Sequence, residues 1–143
     1  MNIKDRYAIV GLGYTPQGRI PDRTALSFYV EACANAIQDA GLERKDIDGL
    51  MCYRLLPAMP GEEETTPYLV AQQLGLKPKM LSQEANCARS HFHHAIGALE
   101  AGLCNYVVLS YADNSLLGTR SPVQPHSDKH VFGQFGIVGD YAL

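Results

Sequence analysis

The stretch EANCARSHFHHAIGALEAG holds the side chains of this chain that are best suited to chemistry. It places Cys87, His91, His93 and His94 within eight residues. A cysteine thiolate is both a nucleophile and a metal ligand, and a neutral imidazole is both a base and a metal ligand. The spacing is therefore open to two interpretations, a metal site and a cysteine nucleophile.

As a metal site, the cluster has too few ligands. On a helix, Cys87 and His91 are four residues apart and share a face, His94 stays near that face, and His93 points elsewhere. A closed zinc site takes four ligands, and no fourth ligand lies nearby in the sequence. Two histidines of a later loop are the remaining candidates, His126 and His130. We therefore expect no metal, although a small metal-binding regulator is an alternative that metal analysis would detect.

As a nucleophile, Cys87 lies where a predicted strand ends and a helix begins. Free backbone N–H groups and the helix dipole at such a position lower the pKa of a thiol from about 8.5. The carboxyl ends of parallel strands are also where α/β proteins place their sites. The candidate active-site neighbours are Asn86, Arg89 and His91, of which His91 is one turn further on the same face. From these residues alone, a buried inert cysteine explains the position equally well.

The segment GLGYTPQG raises the question of a dinucleotide site, because a predicted strand leads into a Gly-x-Gly motif. The third glycine of the dinucleotide fingerprint would fall at position 16, where the chain has Pro16. No acidic residue ends a second strand about twenty residues further on. We therefore interpret the segment as a tight turn after a buried strand.

Composition and charge describe a single globular domain over residues 1–143. Hydrophobic residues make up 46% of the chain and charged residues 19%, and the net charge is −3. Without a lysine–arginine block, neither nucleic acid nor an anionic membrane is an expected partner. We expect no signal peptide, because the apolar stretch near residue 7 is short and charged residues interrupt the approach to it. The sequence has no apolar run of about 18 residues and no CxxC pair. We expect a cytoplasmic protein with reduced thiols.

The predicted strands and helices alternate, which indicates an α/β fold with a mainly parallel or mixed sheet and covering helices. The strands are expected at Tyr7–Gly13, Gly49–Leu55, KMLSQEANC and NYVVLSYAD. The helices are expected after PDRT, at Pro67–Leu74 and at ARSHFHHAIGALEAG. From Asn114 to about Phe132 we expect a long loop. The final GQFGIVGDYAL reads as the opening of another helix, which suggests an incomplete fold or one completed by another chain.

The first helix has the clearest pattern. One face carries residues at helical spacing, namely Leu26, Val30, Cys33, Ile37 and Ala40. Asp22 or Thr24 is expected to cap its start, and Gly41 to close its end.

Two long blocks carry a family resemblance. AIVGLGYTPQGRIPDRTALSFYVEACANAIQDAGLERKDIDGL contains a first strand, a TPxGR-like turn, DR before a long helix, then DAGL and DIDGL. ANCARSHFHHAIGALEAGLCNYVVLSYAD places a cysteine after the third strand, LEAG near the helix end and VVL at the next strand. FGQFGIVGDYAL is similar to an FG…YAL region. The chain thus resembles the N-terminal portion of the thiolase superfamily, in the sterol-carrier-protein and lipid-transfer-protein thiolase-like branch.

The resemblance implies acyl transfer between coenzyme A and a carbon nucleophile, by thiolysis or Claisen condensation of a β-ketoacyl-CoA. In the family a cysteine is acylated, a histidine activates it, a second cysteine moves a proton, and an oxyanion hole holds the thioester oxygen. Cys87 matches the acylated position. The histidines and second cysteine belong to segments later than those matched here. We therefore expect a coenzyme A thioester as substrate, no bound cofactor, and no activity for this chain alone.

The resemblance also implies partners and two alternative functions. Family dimers pair the strand before the nucleophile, which would place Ser82–Asn86 at an interface. A homo-oligomer or a complementary thiolase subunit would complete the incomplete thiolase-like half. One alternative function is a non-catalytic split-thiolase assembly subunit. The other is part of a thiolase-fold aldolase that acts on β-hydroxyacyl-CoA, a branch that often has an OB-fold, zinc-ribbon partner.

Overall fold

The computed structural model describes residues 3–53, 65–84 and 88–113, and they form an α/β unit. In chain order the elements are α1 (Ala25–Asp39), a 3-10 turn (Arg44–Asp46), β1 (Gly49–Tyr53), α2 (Pro67–Leu74), β2 (Met80–Glu84), α3 (Ala88–Glu100) and β3 (Val107–Ser110). The sheet has the order β2-β1-β3, and both strand pairs are parallel. The predicted fold class is confirmed. The expected loop and helix after residue 113, with His126 and His130, lie outside the described residues.

The three strands are in level register. Gly49 lies opposite Met80 on one side and Val107 on the other. At the other end, Cys52 lies opposite Gln83 and Ser110. The carboxyl ends of all three strands therefore meet at one edge of the sheet, which we call the carboxyl edge.

The helices cover both faces of this sheet. Successive strand residues point to opposite faces, and the two sides of β1 accordingly join different cores. Leu50 and Cys52 pack with residues of α1 and α2 in the larger core. Met51 packs with Ala95 and Ala98 of α3 in the smaller one. Strands that are buried on both faces are typical of parallel sheets.

Helix α1 begins and ends where the sequence predicted. Thr24 rather than Asp22 is the N-cap, and its side chain accepts a hydrogen bond from the Ser27 N–H. Gly41 follows the helix with a φ of 67°, the left-handed conformation that closes helices. The predicted apolar face is correct in part. Cys33 and Ile37 are buried, but Phe28 and Tyr29 complete the buried set, while Leu26 and Val30 are half-buried.

The prediction of a buried strand at Tyr7–Gly13 is wrong for the described structure. These residues are outside the sheet, and Ile9 and Val10 are 69% and 58% exposed. The segment instead lies against α1, where a Cβ on Gly13 would come within 2.0 Å of the Ala32 carbonyl oxygen. The Leu12 N–H donates to Asp39 of the same helix. An apolar run forms a strand only if another strand pairs with it. None of the described strands pairs with this segment.

The motif DIDGL fastens the amino-terminal edge of the sheet. Oδ1 of Asp48 accepts hydrogen bonds from the N–H groups of Asn105 and Tyr106, at 2.7 and 2.9 Å. Its Oδ2 lies 3.5 Å from the ammonium group of Lys79, just before β2. One carboxylate therefore ties together the starts of β1, β2 and β3. Gly49 lies close beside it, since a Cβ there would lie 3.0 Å from Cys104 Sγ and that side chain would have to shift.

Candidate functional site

The candidate site lies at the carboxyl edge, where β2 gives way to α3. Strand β2 ends at Glu84 and helix α3 begins at Ala88, so Cys87 directly precedes the helix in the chain. Asn86 and Cys87 themselves lie outside the described residues. The first turn of α3 nevertheless fixes where the helix N–H groups and the positive end of its dipole are found.

Helix α3 separates the histidines of the cluster. His91 is buried, with 4% of its surface exposed, whereas His93 and His94 are exposed. Arg89 is also exposed, in the first turn of the helix. Within residues 3–53, 65–84 and 88–113, no three His, Cys, Asp or Glu side chains are grouped closely enough to hold a metal ion. Of the predicted neighbours of Cys87 that the structure describes, His91 alone is directed into the protein.

His91 belongs to an aromatic cluster that the sequence analysis did not identify. Its ring packs edge-to-face on Tyr53 at the end of β1, with centroids 5.9 Å apart. Tyr53 packs in the same way on Tyr111, the residue after β3, at 5.1 Å. We call Tyr53, His91 and Tyr111 the aromatic cluster. A signal was present in the sequence, since Tyr53 and Tyr111 each lie two residues before the end of a predicted strand.

Tyr29 of α1 supports this cluster from inside the protein. Its side chain is fully buried, and its hydroxyl donates a 2.8 Å hydrogen bond to the carbonyl oxygen of Tyr53. The backbone N–H of Ala112 donates to the same hydroxyl. Burial raises the pKa of Tyr29 well above its usual value, and the Ala112 hydrogen bond only partly opposes this. Tyr29 therefore acts as a neutral bridge between the ends of β1 and β3.

The three described cysteines are unsuited to nucleophilic chemistry. Burial raises the pKa of Cys33 to about 11 and that of Cys52 to about 12, although a hydrogen bond with Ser110 opposes the shift in both. Burial likewise raises the pKa of Cys104, and the nearby Asp48 carboxylate adds to this. At neutral pH these groups stay thiols, and a thiol is a poor nucleophile.

No family profile matches the chain, but individual relatives do. It is 27% identical over 136 residues to an acetyl-CoA acetyltransferase of Methanocaldococcus jannaschii, a match that covers 92% of this chain and 35% of that protein. It is 29% identical over 117 residues to the 17-hydroxy-3-oxo-4-pregnene-20-carboxyl-CoA lyase of Mycobacterium tuberculosis, covering 79% and 28%.

Solved structures agree with these sequence matches. The Ltp2-ChsH2(DUF35) aldolase superposes with a TM-score of 0.67 at 26% identity, over 90% of this chain and 32% of that one. A monomeric SCP2-thiolase-like protein type 1 from Mycobacterium smegmatis gives 0.55 at 22% identity, over 75% and 23%. The second likeness concerns the fold alone.

Fold and relatives together define a thiolase-like α/β protein. The chain is similar in sequence to an acetyl-CoA acetyltransferase and a CoA lyase, and it spans about a third or less of the length of the relatives it matches. The predicted resemblance to a partial, N-terminal thiolase portion is confirmed. Within the described residues, no helix is long and apolar enough to cross a membrane.

Proposed function

We propose that the chain contributes the acyl-accepting cysteine of a thiolase-like acyl-CoA acyltransferase, and that this cysteine is Cys87. The observation that carries the proposal is the start of α3 at Ala88, at the carboxyl edge of a parallel sheet. The helix thus presents free N–H groups and a positive dipole end directly after Cys87. The relationship to an acetyl-CoA acetyltransferase supports the same chemistry.

The proposed reaction has two steps. The Cys87 thiolate attacks the thioester carbonyl of an acyl-CoA, so that a carbon–sulfur bond to the protein forms as the bond to coenzyme A breaks. The departing coenzyme A thiolate takes up a proton. In Claisen condensation a base then removes the α-proton of a second acyl-CoA, and the resulting carbanion attacks the acyl carbonyl, so that a carbon–carbon bond forms as the bond to Cys87 breaks and its thiolate is released. The reverse sequence is thiolysis. Backbone N–H groups at the start of α3 would lower the pKa of Cys87 and so supply the thiolate.

The complete reaction requires groups from another polypeptide or from a longer form of the chain. The chain covers 35% of the acetyltransferase relative, and the base that the family uses at the substrate α-carbon belongs to segments not matched here. We propose a complementary thiolase subunit, or a homo-oligomer, as the source of the missing groups. Cys87 alone would form the acyl-enzyme without completing turnover.

A thiolase-fold aldolase acting on β-hydroxyacyl-CoA is the second candidate. It is favoured by the likeness to the two-component Ltp2-ChsH2(DUF35) aldolase and to a CoA lyase. In that case the chain would act with a second subunit of the OB-fold, zinc-ribbon type, and Cys87 would be dispensable. A non-catalytic assembly subunit would likewise not need Cys87.

The edge position of β2 supports the proposed interface at Ser82–Asn86. Among the described strands, β2 pairs only with β1, and Leu81 on it is 41% exposed. An exposed strand edge can pair with a second copy. Light scattering should therefore detect a dimer that Leu81→Lys weakens, whereas a monomer at all concentrations would contradict this interface.

The test of function is acylation of the purified full chain. Incubation with acetyl-CoA or acetoacetyl-CoA should add one acyl group, which peptide mass spectrometry should locate on Cys87. Cys87→Ala should abolish the adduct, and the matched control Cys104→Ala should retain it. If no adduct forms, but the chain and Cys87→Ala cleave a β-hydroxyacyl-CoA equally once a candidate second subunit is supplied, the aldolase function is correct. If neither reaction occurs with candidate partner subunits supplied, the chain is a non-catalytic subunit.

A further inference from the structure

Residues 6–14, which we call the strap, contact the end of helix α3 at their beginning. The guanidinium group of Arg6 forms an ion pair with the carboxylate of Glu100, at 2.6 Å. The hydroxyl of Tyr7 donates a hydrogen bond to the same carboxylate. Only 15% of the Glu100 side chain is exposed, so its charge depends on these two partners more than a surface carboxylate would.

The other end of the strap is held by helix α1. The backbone N–H of Leu12 donates a 2.8 Å hydrogen bond to Asp39. The side-chain amide of Asn35 donates one of 2.8 Å to the carbonyl oxygen of Tyr14. Because α1 and α3 cover opposite faces of the sheet, the strap connects two helices that do not share a core.

Both carboxylates that hold the strap lie at the carboxyl ends of helices. Asp39 is the last residue of α1 and Glu100 is the last residue of α3. A negative charge is unfavourable there, because it meets the negative end of the helix dipole, and neither helix has a basic residue in its last turn. The guanidinium group of Arg6 and the N–H of Leu12 compensate these charges. The same strap therefore completes both helix ends.

The middle of the strap has few contacts of its own. Ala8, Ile9 and Val10 are exposed, and none of the described strands pairs with them. Segments with little buried surface and no strand pairing open at a lower free energy than the strands of a core. The contacts at the two ends consequently decide how stably the strap is closed.

We propose that the strap is a conformational device that opens and closes as one unit while the sheet stays folded, and that its closed form couples the end of α3 to the end of α1. Opening separates Arg6 from Glu100 and Leu12 from Asp39 in a single event, so that both helix ends are released together. The device uses neither Cys87 nor the proposed reaction, and it stands or falls independently of them.

Amide hydrogen exchange of the full chain, followed by NMR, tests whether the strap opens by itself. The Leu12 amide reports on the strap, and the amides of β1 report on global unfolding. We expect Leu12 to exchange at least about tenfold faster than the β1 amides, and at least about tenfold slower than in the urea-unfolded chain. Exchange of Leu12 at the rate of the β1 amides, or at the unfolded rate, would overturn the proposal.

Substitution of Arg6 tests the coupling between the two ends. Arg6→Ala removes a contact with α3, yet it should accelerate exchange at Leu12, which contacts α1, by at least about threefold. The β1 amides should change less than twofold, and Arg6→Lys should retain most of the protection. Lys45→Ala, which removes an exposed ion pair with Glu43, is the matched control and should leave Leu12 unchanged. No acceleration in Arg6→Ala, or equal acceleration in β1, would refute the coupling.

Salt provides a second measurement on the unmodified chain. At about 1 M NaCl the ion pair between Arg6 and Glu100 is screened, so exchange at Leu12 should accelerate. The Arg6→Ala variant lacks this ion pair and should respond to salt less than twofold. An equal response of both proteins would show that the ion pair does not hold the strap closed.

Discussion

The hydroxyl of Tyr29 and the carbonyl oxygen of Tyr53 are joined by a 2.8 Å hydrogen bond that ties helix α1 to the end of β1. The same hydroxyl accepts a hydrogen bond from the Ala112 N–H, beyond the end of β3. A single buried oxygen thus sets the spacing of two strand ends. The rings of Tyr53 and Tyr111, which pack on each other at the candidate site, depend on that spacing.

Tyr29→Phe should destabilise the chain and loosen the site. Loss of the hydroxyl leaves the partly buried Tyr53 carbonyl and the N–H of the buried Ala112 without their partner, which costs about 1–3 kcal/mol in the free energy of unfolding. Urea denaturation measures this loss. Tyr106→Phe changes an exposed ring in the same way and should cost less than about 0.5 kcal/mol. Equal stability of Tyr29→Phe and the unmodified chain would show that the bridge contributes nothing.

Asp48→Asn should weaken the amino-terminal edge of the sheet. Partial burial opposes ionisation of Asp48, but the hydrogen bonds from Tyr106, Asn105 and Lys79 outweigh it and hold the pKa of its carboxyl below the usual value. The amide keeps one acceptor oxygen for the two backbone N–H groups, but it places an NH2 donor where Asp48 Oδ2 now faces the side-chain amide of Asn105 and the ammonium group of Lys79. Because hydrogen bonds to a charged group are worth about 1.5–3 kcal/mol each, we expect a loss of about 2–4 kcal/mol by urea denaturation at pH 7.

The same carboxylate predicts a pH dependence. Since its pKa is lower in the folded chain, its stabilisation is fully present above the unfolded pKa of about 3.9 and is lost as the pH falls through the folded value. Unfolding measured from pH 6 to pH 2 should therefore show a steeper acid loss for the unmodified chain than for Asp48→Asn. Asp22→Asn, at an exposed carboxylate, should keep the steep profile. Parallel profiles for the chain and Asp48→Asn would refute the assignment.

Gly13→Ala and Gly97→Ala should have opposite effects. A Cβ on Gly13 would lie 2.0 Å from the Ala32 carbonyl oxygen, so the 7–14 segment would have to move away from α1. Overpacking of this kind costs about 1–3 kcal/mol. A Cβ on Gly97 of α3 meets nothing within 4 Å, and Gly→Ala within a helix stabilises by up to about 1 kcal/mol. The Tm of each variant, measured by thermal unfolding, is compared with that of the unmodified chain. An unchanged Tm for Gly13→Ala would mean that the 7–14 segment does not pack on α1.

Thiol alkylation should single out Cys87 in the folded chain. With pKa values raised to about 11 and about 12, Cys33 and Cys52 are almost entirely protonated at pH 7.5 as well as buried. Iodoacetamide should therefore label Cys87 at least tenfold faster than the other three cysteines, as followed by peptide mass spectrometry. In urea all four should react at similar rates. Rapid labelling of Cys52 in the folded state would contradict its burial.

The regular elements were largely predictable, because they depend on local signals. Helix α2 has the predicted bounds, with a proline in its first turn, a threonine cap and a left-handed glycine at its end. The predicted positions of β1, β2 and β3 each contain the observed strand. Two motifs behind the family resemblance have structural roles. In DIDGL, Asp48 connects the starts of the three strands, and in DAGL, Gly41 ends α1. These motifs therefore indicate the fold rather than the chemistry.

The candidate site was predictable only in part. The strand-to-helix junction that precedes Ala88 follows from the apolar pattern, and it places the predicted nucleophile at the start of α3. The choice among the histidines required the structure, since helical spacing groups His91 with His94 but packing buries only His91. Whether Cys87, Asn86, Arg89 and His91 act together stays a prediction.

The sequence by itself determined the alternation of strands and helices, the helix caps and the thiolase resemblance, because each depends on residues that are close together in the chain. The tertiary structure decided three other matters. The apolar segment Tyr7–Gly13 lies outside the described sheet. The hydroxyl of Tyr29 connects the ends of β1 and β3. The rings of Tyr53, His91 and Tyr111 pack on one another in succession. The physical reason is that strand pairing and ring packing join residues distant in sequence, so no local pattern specifies them.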